Sequence, residues 1–449
     1  MKEIRIQRKW SRLPPERILA LGFLLVIIVG AILLSLPMAT VSGERLSLID
    51  AVFMATSAVC VTGLSVVDVG TFFTYFGQIV IMLLIQIGAL GFMTMTTLIA
   101  LVLGRKIGLK ERIVIQESFN SLSTAGAVRL TMQVLVSTAI IEGIGALVLF
   151  LRFLPTMPAG KAFFFGVFHA ISAFANAGFD LNGNFNSFTM YTMDPVINLV
   201  LPALFILGGL GFHVLYELYT YPKTKNLSLH SKIVLFMTLI LIVLGVGGFM
   251  TFEWTNPNSL QPLSTFGKLM ASWFQGVTGR TAGFSTLDFG VLRSSTLPLT
   301  MILMFIGASP GGTGGGVKTT TIACLLLAVR SELTGRHDIE IFKRRIAFDT
   351  VFRALAITVL ALFLCLFVVV ILTYTEPFDF MDICFETISA FGTVGLSTGI
   401  TPHLRGSSRV LLSILMYVGR LGPITLGFAL ARRKVKLSRR FAEEKIIVG

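Results

Sequence analysis

"TSAVCVTGLS", Thr56–Ser65, carries a glycine at its eighth position, and the same pattern returns three more times. The other copies are "ISAFANAGFD" (171–180), "GVTGRTAGFS" (276–285) and "ISAFGTVGLS" (388–397). Aligned without gaps, they bring Gly63, Gly178, Gly283 and Gly395 into register, at separations of 115, 105 and 112 residues. A second mark follows each copy: "IGALGF" from Ile87, "LGGLGF" from Leu207, "IGASPGG" from Ile306 and "VGRLGP" from Val418. Its first glycine (Gly88, Gly208, Gly307 or Gly419) lies 25, 30, 24 and 24 residues after the partner glycine. Two independent marks recurring four times define an internal repeat, and a repeat organises the whole chain.

The surroundings say where that repeat sits. The 449 residues are 54% hydrophobic and 13% charged, with a mean hydropathy of +0.83. A soluble domain carries about 25% charged residues, so the composition is that of a polytopic membrane protein. Uncharged runs over Ile18–Leu36, Gly77–Leu103, Ile233–Met250 and Ala354–Thr373 have spanning length, since about 20 apolar residues cross a bilayer core. The Lys/Arg-rich start leads straight into a span, and no signal-peptide cleavage pattern is evident. Of 37 Lys and Arg, 27 fall in five segments: the N-terminus, 105–129, 223–232, 330–353 and 432–445. The positive-inside rule places these five, and both termini, in the cytoplasm. The net charge of +14 is therefore read as topology and contact with anionic lipids, not as a nucleic-acid surface. Four Cys and five His in irregular, apolar settings form no metal or disulfide pattern.

Each unit reads as span, half-membrane helix, glycine loop, span. The expected first spans are roughly 18–38, 131–154, 233–251 and 354–374, and the half helices roughly 50–58, 161–174, 267–277 and 381–390. The second spans are roughly 75–103, 195–221, 296–328 and 409–431. The units are thus 18–104, 131–221, 231–330 and 353–431, flanked by cytoplasmic tails 1–17 and 432–449. Two crossings per unit return the chain to the same side, so the repeats are parallel about an axis along the membrane normal; inverted repeats need an odd number. Trp273 is read as an interfacial anchor.

Irregular backbone at membrane depth must be buried in protein or line a watery cavity. Four equivalent glycine loops around one axis satisfy that condition and can offer stacked carbonyl rings to a cation. Glycine permits the backbone angles needed, and each half helix would point the negative end of its dipole at the centre. No ring of four carboxylates accompanies the loops: Asp180 and Asp288 serve two units, and Ser65 and Ser397 stand in the others. The competing reading is plain helix packing by small residues. It suits Gly88 and Gly208, and suits less well the glycines lying between two helices.

"GASPGGTGGGVKTTT", Gly307–Thr321, interrupts the third second span. It fails the Walker A pattern, because Val317 separates Gly316 from Lys318, and it fails the dinucleotide pattern at its last position. A helix tolerates one or two glycines at about 1 kcal/mol each, not six with a proline, so a break is expected from Ser309 to Gly316. Gly307 lies roughly 15–20 Å below the outer face, counted at 1.5 Å per residue. The loop of Gly307, Ser309, Pro310, Gly311, Gly312, Thr313, Gly314, Gly315 and Gly316, with Lys318, is therefore expected beneath the glycine ring as a gate; a passive kink is the alternative. Lys318 either acts beside the loop or reaches toward the cytoplasm. Arg420 sits at the centre of its span and needs a partner or a cavity. It is read either as a cationic barrier below the ring or as a buried ion pair with Glu142 or Glu117.

On these residues the chain resembles the Ktr/Trk/HKT superfamily of potassium transporters, over essentially its whole length. "TGRTAGFST", the glycine-rich break, Arg within "YVGRLGP" and the lack of further spans before Arg17 resemble a KtrB- or KtrD-like membrane subunit. The resemblance implies a potassium-selective filter at Cys60, Val61, Thr62 and Gly63; Asn176, Ala177 and Gly178; Thr281, Ala282 and Gly283; and Thr393, Val394 and Gly395. Some plant relatives with Ser in the first loop pass more sodium; this chain has Gly63. Only "TVGL" at Thr393–Leu396 approaches the TVGYG strand of tetrameric channels, so less strict selectivity is expected. The family further implies a bacterial plasma-membrane homodimer on a cytosolic, nucleotide-binding RCK ring, with no cofactor in this chain beyond transported K⁺. Two other classes fit the sequence less well. An ion-coupled secondary transporter of a small solute would need a polar midplane site, and few such side chains are present beyond Arg420, Glu142 and Asn176. A membrane enzyme would need a nucleophile–base or metal constellation, which is not apparent.

Overall fold

The computed structural model describes residues 15–91, 127–336 and 338–423. The basic stretches 1–14, 105–126 and 432–445, and Glu117, lie outside the described residues. Among the described residues, four single helices are long and apolar enough to cross a bilayer, and they are the four first spans: α1 (Pro15–Leu34), α4 (Ala127–Phe153), α8 (Leu229–Glu253) and α12 (Phe348–Thr375). Each is followed by a half helix: α2 (Leu48–Val59), α5 (Ala159–Phe174), α9 (Thr265–Thr278) and α13 (Phe380–Gly392). The second spans begin as α3 (Tyr75–Leu90), α6 (Pro195–Leu210), α10 (Thr296–Phe305) and α14 (Gly406–Leu421).

Local chemistry sets these boundaries. Ser47 and Ser264 cap the first and third half helices by accepting from Asp50 N–H and Gly267 N–H, both at 3.2 Å. Asp194 caps α6 with Pro195 at its first position, where a missing N–H costs nothing. A half helix packs against its own first span. The second span then packs against the half helix of the next unit: α3 on α5, α6 on α9, α10 on α13, and α14 back on α2. The order closes on itself. Four units in cyclic sequence order around one axis are the parallel fourfold arrangement that two crossings per unit require.

The second spans depart from the sequence expectation. Only the third was expected to break, yet α3, α6 and α14 all stop at a glycine within the second mark, three residues after its first glycine. Gly91, Gly211 and Gly422 have φ of 82°, 94° and 86°, angles that side-chain-bearing residues rarely adopt. At Gly211 the chain turns by 100° into α7 (Phe212–Thr224). Helical pattern continued through these points, so periodicity alone could not reveal the bend. The third unit differs in degree: its second span resumes as α11 (Thr319–Leu333) only after a long loop.

A small β-hairpin, β1 (Ile339–Ile341) and β2 (Arg344–Ile346), joins α11 to α12, and among the described residues the other regular elements are helices. Phe342 and Lys343 form its turn with φ of 50° and 60°. Trp273, read as an interfacial anchor, also ties two units together. It lies on α9, partly buried, and donates its indole N–H to Asn198 O of α6 at 3.0 Å, an inter-unit contact.

Candidate functional site

The four first-mark glycines meet at the axis. A Cβ on Gly63 would come 2.5 Å from Ala177 O, one on Gly178 2.8 Å from Gly283 Cα, one on Gly283 2.3 Å from Val394 O, and one on Gly395 2.2 Å from Thr62 O. Each glycine therefore abuts the loop of a neighbouring unit, and side chains here would collide with backbone. Their φ values are 96°, 68°, 78° and 89°. Two residues earlier, Val61, Asn176, Thr281 and Thr393 are also left-handed, at φ of 58°, 60°, 64° and 51°. The repeated pattern, a left-handed residue, an ordinary residue, then a left-handed glycine, gives four loops one backbone conformation. Non-glycine residues hold such angles only where surroundings impose them.

The imposing groups are hydroxyls on the half helices. Ser57 and Ser389 accept from Gly63 N–H and Gly395 N–H, each at 3.1 Å. Ser172 donates to Phe179 O at 2.7 Å, and Thr278 donates to Phe284 O at 2.5 Å. Sequence reasoning did not single out these four residues, although the Ser at the second position of three of the four aligned stretches was visible. Asn176 links loops by donating to Thr281 Oγ1 at 3.0 Å. Cys60, Thr62, Ala177, Ala282 and Val394 are fully buried.

Outside the ring lies a cavity of about 610 Å³ whose floor includes all four glycines and whose wall carries Asp68, Asp180, Asp288 and His403. Burial pushes the Asp180 carboxyl up to about 7; the Asn182 N–H works against that shift, and the nearby Asp68 charge adds to it.

Beneath the ring runs the glycine-rich loop, and it touches the second, third and fourth units. Ser309 N–H and Thr313 N–H donate to Gly209 O (2.9 Å) and Gly208 O (3.1 Å) of the second unit. Thr313 Oγ1 donates to Phe174 O and Asn176 Oδ1, both at 3.2 Å. A Cβ on Gly314 would strike Thr281 Oγ1 at 2.2 Å. Gly315 N–H donates to Thr393 Oγ1 at 2.9 Å, and Gly316 N–H to Gly419 O at 3.3 Å. Pro310 and Gly311 lie against Gly211, and Gly311 O accepts from Phe212 N–H at 3.1 Å. Gly312 N–H closes a turn onto Ser309 O at 3.1 Å.

Two cations clasp the loop. Arg420 donates to Thr313 O, and to Gly88 O and Ala89 O in the last turn of α3. Lys318 turns back into the loop rather than toward the cytoplasm, donating to Gly314 O at 2.7 Å. Glu142 is not a partner of Arg420: it accepts from Gln86 Nε2 at 3.1 Å. Among the described residues no ion pair involves Arg420. The second-mark glycines have a different use. Cβ atoms on Gly88, Gly208 and Gly419 would fall within 2.0 Å of Val59 O, Phe174 O and Phe391 O, so these glycines seat second spans against half-helix ends. At Gly307 the corresponding contact is with Gly315 O of the loop itself. Helix packing thus explains the second mark, and not the first. Among the described residues no group of His, Cys, Asp and Glu could hold a metal ion.

Four helix–loop–helix units closed around a glycine-lined axis define a single-chain, fourfold pseudosymmetric membrane pore protein. The chain belongs to the TrkH cation transport protein family, whose model matches residues 25–441. It is 44% identical over 441 residues to the Ktr system potassium uptake protein B of Bacillus subtilis, covering 98% of each chain. It is 38% identical to the potassium/sodium uptake protein NtpJ of Enterococcus hirae, over 99% of each. The crystal structure of the potassium transporter TrkH from Vibrio parahaemolyticus has the same fold, with a TM-score of 0.69 at 19% identity over 91% of this chain and 84% of that one.

Proposed function

We propose that this chain is a potassium uptake subunit of the Ktr/Trk type, in which Gly63, Gly178, Gly283 and Gly395 ring a selectivity filter. The observation that carries the reading is the ring itself: four loops of one conformation, each glycine abutting its neighbour's backbone. A potassium ion enters the outer cavity, sheds water onto backbone carbonyls of residues 60–63, 176–178, 281–283 and 393–395, and moves inward down its electrochemical gradient. The half-helix C-termini favour a cation there. The relatives' names all include potassium, with sodium beside it in NtpJ, and favour the same ion.

The loop from Gly307 to Gly316 is the gate. Its carbonyls are held by Lys318 and Arg420, two cations standing where a permeating ion would pass. Opening requires those bonds to be exchanged for water or ions. A cytosolic RCK ring supplies the regulatory energy, the chain acts as a homodimer in a bacterial plasma membrane, and both termini are cytoplasmic. No covalent chemistry is involved. The test is growth of a host lacking potassium uptake at limiting potassium, with and without the ring. The intact chain should restore growth, and deletion of Gly312–Gly315 should restore it without the ring. If the deletion abolishes uptake at normal membrane yield, the loop is a permeation element and not a gate.

A further inference from the structure

One side chain lies one helical turn before each loop-tying hydroxyl, and the four differ in chemistry. Met54, His169, Gln275 and Glu386 precede Ser57, Ser172, Thr278 and Ser389 by three residues each, so each pair shares a helix face. All four are fully buried within half helices. Each bonds the segment that leaves the glycine outward. Ser65 donates to Met54 Sδ at 3.4 Å, and Leu181 N–H to His169 Nε2 at 3.1 Å. Gln275 Nε2 donates to Ser285 Oγ at 2.9 Å and Leu287 O at 3.1 Å. Glu386 accepts from Ser397 and, at 2.9 Å, from Thr401. In the third unit both rungs sit one residue nearer the glycine, and the loop closes to match. Ala282 N–H bonds Thr278 O four residues back, where Thr62, Ala177 and Val394 reach back five.

The bonds are not equal. A thioether is a weak acceptor. His169 bonds through a ring nitrogen that is lone-paired, because Nδ1 is engaged with Phe165 O at 2.8 Å. Glu386 takes two hydroxyl donors on one buried carboxyl, the strongest arrangement of the four.

Resting on the reading of the glycine ring as the filter, we propose that Glu386, His169 and Gln275 are positioning residues that brace the filter's outer rim. Three units are then braced and the first, backed by Met54, is compliant. Glu386 contributes most to holding carbonyl spacing, and hence to discrimination between potassium and sodium, although it lies behind the loop and never meets the ion.

The experiment compares rubidium and sodium tracer uptake by the full chain with its regulatory subunit, per molecule in the membrane. Glu386→Ala removes both hydroxyl bonds and should lower the rubidium-to-sodium ratio about tenfold. Glu386→Gln can accept from one hydroxyl and donate to the other, and should stay within about threefold of the unaltered chain. Met54→Ala gives up buried volume and a weak thioether contact but no strong hydrogen bond, and its ratio should stay within about twofold. Gly395→Ser is the control on the filter itself. If Gly395→Ser shifts the ratio and Glu386→Ala does not, the brace is refuted while the filter stands. If Gly395→Ser leaves the ratio unchanged, the filter reading fails and the brace with it. Equal losses for Met54→Ala and Glu386→Ala would also overturn the brace, reducing it to packing. Should Glu386→Ala fail to reach the membrane, Ser397→Ala removes one bond and leaves Thr401 in place. It should then lower the ratio about threefold, and an unchanged ratio refutes the proposal.

Discussion

Replacing Arg420 by Gln tests the gate at its strongest point. The guanidinium bridges Thr313 O of the loop to Gly88 O and Ala89 O at the end of α3. Glutamine removes the charge and is too short to span both ends. The closed loop then loses one charge-assisted hydrogen bond, about 1.5–3 kcal/mol, which displaces a closed–open equilibrium by about 10- to 150-fold. Other contacts from the second, third and fourth units remain, notably the Thr313 bonds to Phe174 and Asn176 and the Lys318 bond to Gly314. The lower end of the range applies, and uptake without the regulatory ring should rise about tenfold. A second effect runs alongside: the last-turn carbonyls of α3 lose their cation, at a cost of about 1 kcal/mol of stability. Rubidium tracer uptake, divided by the amount of folded protein in the membrane, separates the two. If flux per molecule is unchanged or falls while folded yield stays normal, Arg420 is a structural clasp and the barrier argument is wrong.

Other perturbations bear on other parts of the account. Gly63→Ser places a Cβ 2.5 Å from Ala177 O at a φ of 96°, so the loop must move, and the potassium-to-sodium ratio in flux assays should fall by about tenfold or more. Reversing the charge of Lys343, Arg344 and Arg345, on the hairpin whose Arg345 pairs with Asp338 at 2.9 Å, should weaken co-purification of a cytosolic ring. Intact co-purification, with binding to anionic vesicles lost instead, would assign the hairpin to lipid. Asp180, with its carboxyl raised to about 7 by burial, is neutral below that pH and anionic above it. Uptake at limiting potassium should therefore rise from about pH 6 to about pH 8, and Asp180→Asn should flatten that rise.

Much of this architecture was legible because it is repeated. Each unit alone offers a weak signal, but four glycines in register, with four echoes downstream, revealed the half helices to within a few residues. The break at Ser309–Gly316 was equally plain, since no helix absorbs that many glycines. What escaped were features set by tertiary contact. The stops at Gly91, Gly211 and Gly422 sit inside apolar runs whose pattern continues past them. The hairpin at Ile339–Ile346 is too short to show a period. Met54, His169, Gln275 and Glu386 look unrelated in sequence; only their shared position behind the loops makes them a set. For Arg420 the sequence left two readings open, because a carboxylate partner and a backbone-carbonyl partner look the same from one chain. Its backbone bonds in the structure replace the Glu142 pair, and the barrier stands as the proposal.

Ion density on the axis tests the central claim most directly. An experimental structure of the protein in rubidium, read by anomalous scattering, should show a peak encircled by the backbone of Gly63, Gly178, Gly283 and Gly395, above the loop that Arg420 and Lys318 clasp. The peak should weaken when sodium replaces rubidium. An axis empty of rubidium, or a peak held by side chains away from the four glycines, would contradict the account.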